Sequence, residues 1–210
     1  MARPKAQPTV WNNAVLDRDE QFARKRQALI HEAARVFSRS GYHDTSLEDI
    51  ARNLGVTKAA LYHYVSGKQE VLFECHKLSL DLGDDVLQMA HAHQGTGLEK
   101  VCLLTRRYVE LMTDQSTPLS GVTAEYTALS EEQRALITAR RDEFDSKFRA
   151  LIREGIRDGS IRDIAPKSIV LLFMGAINWV PRWYKPNGPM TGAQLANEFT
   201  DLLARAIENR

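Results

Sequence analysis

Apolar residues in this chain recur three and four positions apart from one end to the other, and nowhere do they alternate with polar ones long enough to make a strand. That periodicity predicts an all-α protein whose helices each bury one stripe. The first reads from Asp19 to Ser40, with Phe22, Leu29, Ile30, Ala33 and Phe37 on one face and Gly41 where a C-capping glycine belongs. Short segments follow. Thr45-Ser46-Leu47-Glu48-Asp49 holds two overlapping capping boxes, Thr45 with Glu48 and Ser46 with Asp49, and opens a helix of about nine residues that Gly55 ends. A third short helix is expected from Thr57 to about Val65, and Ser66 with Gln69 then makes a fresh capped start. The fourth helix runs from there through Leu82 or further, with Gly83 and the polar stretch 91–97 as its possible ends.

Further helices are expected from Leu98 to Met112, before Pro118, and from the cap Ser130-Glu131-Glu132-Gln133 to about Asp158. Pro166 starts one that is apolar almost all round from Ile169 to Val180, which implies burial on every side. A monomer cannot hide such a helix at its surface, so a second copy is the expected cover. Pro181 is expected to interrupt it, and Thr191 with Gln194 opens a last amphipathic helix to Asn209.

Composition excludes several classes of function. A hydrophobic share of 43% and a charged share of 26% are ordinary for a soluble protein, and no apolar run reaches the roughly 18 to 20 residues of a membrane span. Met1 to Val10 lacks the apolar centre of a signal peptide, so a cytoplasmic location is expected, with 1–18 as a disordered tail. Cys75 and Cys102 stand alone and read as small core residues. His91 and His93, two apart on a helix, point away from each other, so neither a metal nor a cofactor is expected. The chain carries no GxGxxG, Walker loop, HExxH or GxSxG, which argues against an enzyme. Net charge is +1 overall but +3 through Glu70 and −2 beyond it, so the basic excess lies at the N-terminal end.

That end carries the informative motif. From Thr45 to Lys68 a short helix, a Gly55-Val56 turn and another short helix give the helix-turn-helix pattern, whose second helix enters the major groove of DNA. At 100° per residue, Thr57, Leu61, Tyr64 and Val65 share one sector and Lys58, Ala59, Tyr62 and His63 the other. The first packs and the second is free. Lys58 can reach phosphate or a guanine edge, Tyr62 can donate to phosphate and His63 can do either, while Tyr64 stands evenly between a base contact and the core. Lys68, just past a cap, lies where free backbone N–H groups already favour an anion, and Ser46 or Thr45 could hold a second phosphate.

The run from Arg26 to Leu72, with AARVF and GYHDTSLEDIARNLGVTKAALYHYVSGKQEVL, resembles the DNA-binding domain of the tetracycline-repressor (TetR) family. By that resemblance Thr57, Lys58, Tyr62, His63, Tyr64 and Lys68 fall where the family contacts operator DNA, and Gly67 stands where relatives carry a larger residue. The resemblance implies an all-helical fold with a DNA-binding unit at 19–68 and an effector-binding and dimerisation part at 69–210. It also implies a homodimer through the last two helices and a cavity among the middle ones. For the dimer seam the candidates are Phe173, Ile177, Trp179, Trp183 and Phe199; for the effector they are Leu103, Arg107, Tyr108, Met112, Phe144, Phe148, Phe173 and Trp179. NWVPRWYKPNGP resembles a branch of the family in which several members sense acyl-coenzyme A thioesters. The expected function is therefore a repressor released from a palindromic operator by an amphipathic anion, an acyl-coenzyme A thioester first; the alternative is a DNA-binding dimer with no effector.

Overall fold

The computed structural model describes residues 17–114 and 125–209. The tail reading for 1–18 falls almost wholly outside them, as does Pro118. Eight α-helices account for most of what is described: α1 (Arg18–Ser40), α2 (Leu47–Asn53), α3 (Lys58–Leu61), α4 (Lys68–Ala92), α5 (Gly97–Thr113), α6 (Glu131–Arg157), α7 (Pro166–Trp183) and α8 (Gly192–Ile207). No strand occurs among the described residues, where an isolated bridge joins Ile161 to Glu208.

Local chemistry explains the boundaries. Asp17 caps α1 by accepting from the Glu20 N–H, and Gly41, at φ 81°, ends it. Reciprocal capping boxes open α2, α5, α6 and α8 through Ser46–Asp49, Thr96–Glu99, Ser130–Gln133 and Thr191–Gln194. Three expectations are corrected. Gly83 does not end α4; it is buried within it, and a Cβ there would sit 3.5 Å from the Tyr108 ring and 3.6 Å from that of Phe144. Pro181 does not interrupt α7, which continues to Trp183 because the Tyr184 N–H still reaches the Val180 carbonyl. The α4 start is capped by no side chain: Gly67 takes the N-cap position, and Ser66 gives its N–H and hydroxyl to Glu70 (2.6 and 2.7 Å), not to Gln69.

Two hydrophobic clusters meet along α4. One gathers Leu29, Ile30, Phe37, Ile50 and Leu61 from α1 to α3 with Val71, Leu72 and Cys75 of α4, and also takes in Leu129, just before α6, and Ile137 in its second turn. The other joins α4 to α8, around Leu104, Phe148, Leu151, Ile152 and Ile177. The N-terminal cluster thus draws on chain well beyond 68, so α4 is a shared strut. A movement of α4 against α6 must carry α2 and α3 with it.

Candidate functional site

α2 and α3 form the exposed end of the N-terminal cluster. Ile50, Ala51 and Leu61 are buried and hold the two helices across the Gly55 turn, where φ is +67°. Thr57 caps α3 by accepting from the Ala60 N–H at 3.3 Å. The helix is shorter than the expected Thr57 to Val65. Past Leu61 the chain tightens, with Tyr64 N–H bonded to the Leu61 carbonyl at 2.8 Å, and the Tyr64 carbonyl accepts from Arg26 Nε at 3.2 Å instead of continuing a helix. Arg26 also pairs with Glu70 and Glu74 at 3.1 and 3.3 Å, so one guanidinium ties α1 to the end of α3 and the start of α4.

This arrangement leaves Ala59, Tyr62 and His63 exposed, with Tyr62 at 51%. Lys58 beside them holds Glu48 at 2.5 Å; the shared hydrogen bond raises the lysine pKa and lowers that of the glutamate. A phosphate reaching this lysine meets the Glu48 carboxylate beside it. The sequence reading missed Glu48, whose place in the first turn of α2 was the available signal. Lys68 Nζ donates to the His43 carbonyl at 3.3 Å and lies 4.2 Å from the centre of the Tyr42 ring; partial burial lowers its pKa. Tyr64 packs, its ring 4.9 Å from that of Phe22. Ser46 is occupied by its capping box with Asp49 but remains partly exposed. Thr45 is corrected: at 3% exposure, with its hydroxyl donated to the Gly41 carbonyl at 2.7 Å, it has no face toward a phosphate.

Behind this unit, the space between α4, α5, α6 and α7 holds an aromatic quartet. Tyr108–Phe144, Phe144–Phe148, Phe148–Phe173 and Tyr108–Phe173 stand at centroid distances of 5.7, 6.3, 5.1 and 6.5 Å. Burial pushes the Tyr108 phenol up to about 12. Met112 lies in the same core and Leu103 is half-buried. The rings fill the region where a cavity was expected. A groove of about 420 Å³ lies outside it, lined by Leu82, Val86, Met89, Leu111 and the Arg107–Glu110 ion pair. Arg107 therefore lies away from the quartet. Trp179 does too: it is 57% exposed on the far side of α7, with the Arg182 guanidinium 4.7 Å over its ring.

The seam candidates divide in the same way. Phe173 and Ile177 are buried in their own chain, which corrects their assignment to the dimer seam; Phe199 is partly buried, and Trp179 and Trp183 project from the chain. Trp179 and Trp183 make an exposed stripe on α7 with Leu172, Gly175 and Ala176, and Leu202 is exposed on α8. One further residue escaped the sequence reading. His76 on α4 is 2% exposed, and its Nε2 has no hydrogen-bond partner among the described residues.

Residues 29–75 match the family model described as bacterial regulatory proteins, tetR family, and residues 94–207 match the one described as tetracyclin repressor-like, C-terminal domain. The second alone spans more than half of the chain. The chain belongs to the TetR family. Among TetR relatives, the HTH-type transcriptional repressor KstR2 of Mycolicibacterium smegmatis is 27% identical over 193 residues, which cover 91% of this chain and 94% of that one. A TetR-family regulator, PfmR of Thermus thermophilus, superposes with a TM-score of 0.77 at 29% identity, covering 84% and 97% of the two chains. AibR, solved in complex with isovaleryl coenzyme A and operator DNA, gives 0.76 at 28% identity, covering 85% and 97%. This TetR protein is a DNA-binding transcription regulator by family, and members of the family are not enzymes. No helix among its described residues is long and apolar enough to cross a membrane.

Proposed function

We propose that this protein is a repressor that grips a pseudo-palindromic operator as a two-fold dimer and leaves it when an amphipathic anion enters between α4, α5 and α6. An acyl-coenzyme A thioester is the first class and a free fatty or aromatic acid the second. The observation that carries the reading is the likeness to AibR, whose solved complex contains both isovaleryl coenzyme A and operator DNA. The largely apolar, aromatic-rich interior of α4 to α7 supports it, since such a lining suits an acyl chain. The closed packing of the same rings favours a second reading, a DNA-binding dimer with no effector. Thermal-shift titration separates the two. On the first, a thioester or acid raises the melting temperature and releases operator DNA over one concentration range; release by a cationic drug alone, with none by thioesters or acids, overturns it.

The DNA-facing residues in this proposal are Ser46, Thr57, Lys58, Tyr62, His63 and Lys68, grouped on the exposed side of α2, α3 and the start of α4. Lys68→Ala should weaken binding to all sequences about equally and flatten the salt dependence by about one phosphate. Tyr62→Ala removes a neutral donor and should weaken binding at an unchanged slope. Lys58→Ala or His63→Ala should in addition relax base preference, by about 1 to 3 kcal/mol for each base-edge hydrogen bond removed. Gel shifts across salt and operator variants measure this, and wild-type affinity in both Tyr62→Ala and Lys68→Ala would place the interface elsewhere.

A further inference from the structure

We infer that His76 is the polar anchor of the effector site, its Nε2–H donating a hydrogen bond to the acyl oxygen of a thioester or carboxylate. The inference rests on the effector reading above and adds to it the residue, the ligand atom and the orientation. A buried polar atom without a partner costs free energy in every folded molecule, so its retention in an otherwise apolar face needs a reason. On α4 the same face carries His76, Leu80 and Gly83, spaced at four and three residues. Gly83 lies against Tyr108 and Phe144, two of the quartet, and His76 stands two turns nearer the DNA-binding end, about 10 Å along the axis.

The charge beside it fits an acyl oxygen. Burial first and the positive field of Arg141 second hold the imidazole down to about 4, so it is neutral at physiological pH, and in the tautomer protonated at Nε2 it offers that N–H as a donor. Arg141 also acts on the Tyr108 phenol, so its charge is within electrostatic range of both. Arg141 itself is exposed, with its guanidinium 5.2 Å over the Tyr126 ring. A ligand oxygen at His76 thus meets a neutral imidazole with a cation behind it, and the acyl chain extends along Leu80 and Gly83 toward the rings. The rest of the ligand leaves past Arg141 to solvent. Entry parts α4 from α6, against the clasp in which Arg140 holds Asp81 at 2.7 Å and also Asp84. Because α4 begins at Lys68, that separation displaces the recognition unit.

The test uses the full-length dimer on operator DNA with isovaleryl-coenzyme A, decanoyl-coenzyme A and decanoate as probes. His76→Leu fills the site with an apolar group; it should bind operator as wild type does and need at least tenfold more thioester or acid for release. His76→Asn retains polarity and is the second variant should leucine disturb the fold; with a shorter reach it should fall between the two. The same proteins are melted across pH. A histidine whose folded pKa lies below its unfolded value loses stability as pH falls from about 6.5 toward 4, because only the unfolded chain takes up the proton; His76→Leu should lack that component. Equal release of wild type and His76→Leu overturns the anchor alone, as does an identical pH dependence of the two. A wild type that answers neither thioesters nor decanoate overturns the effector reading and the anchor together.

Discussion

The double replacement Leu172→Glu, Trp179→Glu will leave the chain folded but monomeric, and operator affinity will fall by about a hundredfold or more. Both side chains lie outside the chain's own core, at 67% and 57% exposure, so charges there should cost the monomer little. They belong to the stripe Leu172, Gly175, Ala176, Trp179, Trp183, which faces outward along α7. Gly175 has open space where a Cβ would stand, so a second helix can approach closely at mid-stripe. Each chain offers one short recognition unit, and two of them reach successive major grooves, about 34 Å apart, only if joined. Separating the pair forfeits the second, intramolecular binding event, which is worth about 10² to 10⁴ in avidity. Sedimentation and gel shift read the two effects separately. A variant that stays dimeric at micromolar concentration would put the seam elsewhere, and one that is monomeric yet binds normally would remove the need for a dimer.

The same stripe marks where the sequence stops being informative. Continuous apolarity from Ile169 to Val180 signals burial on every side, whereas Leu171, Leu172 and Trp179 are exposed in the single chain. It does not say which residues face the chain's own core, and Phe173 and Ile177 turn inward while Leu172 and Trp179, one or two positions away, turn out. Helix starts were legible because capping is local: Ser46 with Asp49, Ser130 with Gln133 and Thr191 with Gln194 each act over three residues. The early end of α3 was not, since nothing in the local pattern marks the tightening after Leu61, where the Tyr64 N–H bonds the Leu61 carbonyl and the Tyr64 carbonyl accepts from Arg26, 38 positions away. His76 was hidden because its burial is set by the helices packed on α4 from elsewhere in the chain. The free face of the recognition helix was legible from the wheel alone. Thr45 was misplaced because a threonine before a helix can turn its hydroxyl backward, and here Gly41 offers the carbonyl.

Gly97→Ala will lower the melting temperature by about 10 °C, the largest loss of stability expected from removing any glycine of this fold. A Cβ on Gly97 would stand 2.1 Å from the Gly155 nitrogen and 2.3 Å from its Cα, both backbone atoms of α6 that no rotamer change can move. The first turn of α5 is fastened to that end of α6 by its free N–H groups, Gly97 to the Asp158 carboxylate at 2.7 Å and Leu98 to the Ser160 hydroxyl at 3.1 Å. Lys100 adds an ion pair to Glu154 at 2.6 Å. Room for a methyl group must come from moving α5 bodily, which loosens all three links and the buried side chains below them. Overpacking and broken end bonds together put the cost at about 3 to 4 kcal/mol, and each kcal/mol shifts the midpoint of a domain this size by about 2 to 4 °C. Gly155→Ala is the control: its Cβ meets the Ile161 side chain, at 2.4 Å from Cδ1, and a side chain can give where backbone cannot. Its loss should be about half as large. Thermal unfolding by circular dichroism ranks the two, and an equal or reversed order would mean that α5 and α6 are not joined backbone to backbone. If they are, this end of the core is fixed, and any separation of α4 from α6 has to open at the opposite end, where α4 carries the recognition unit.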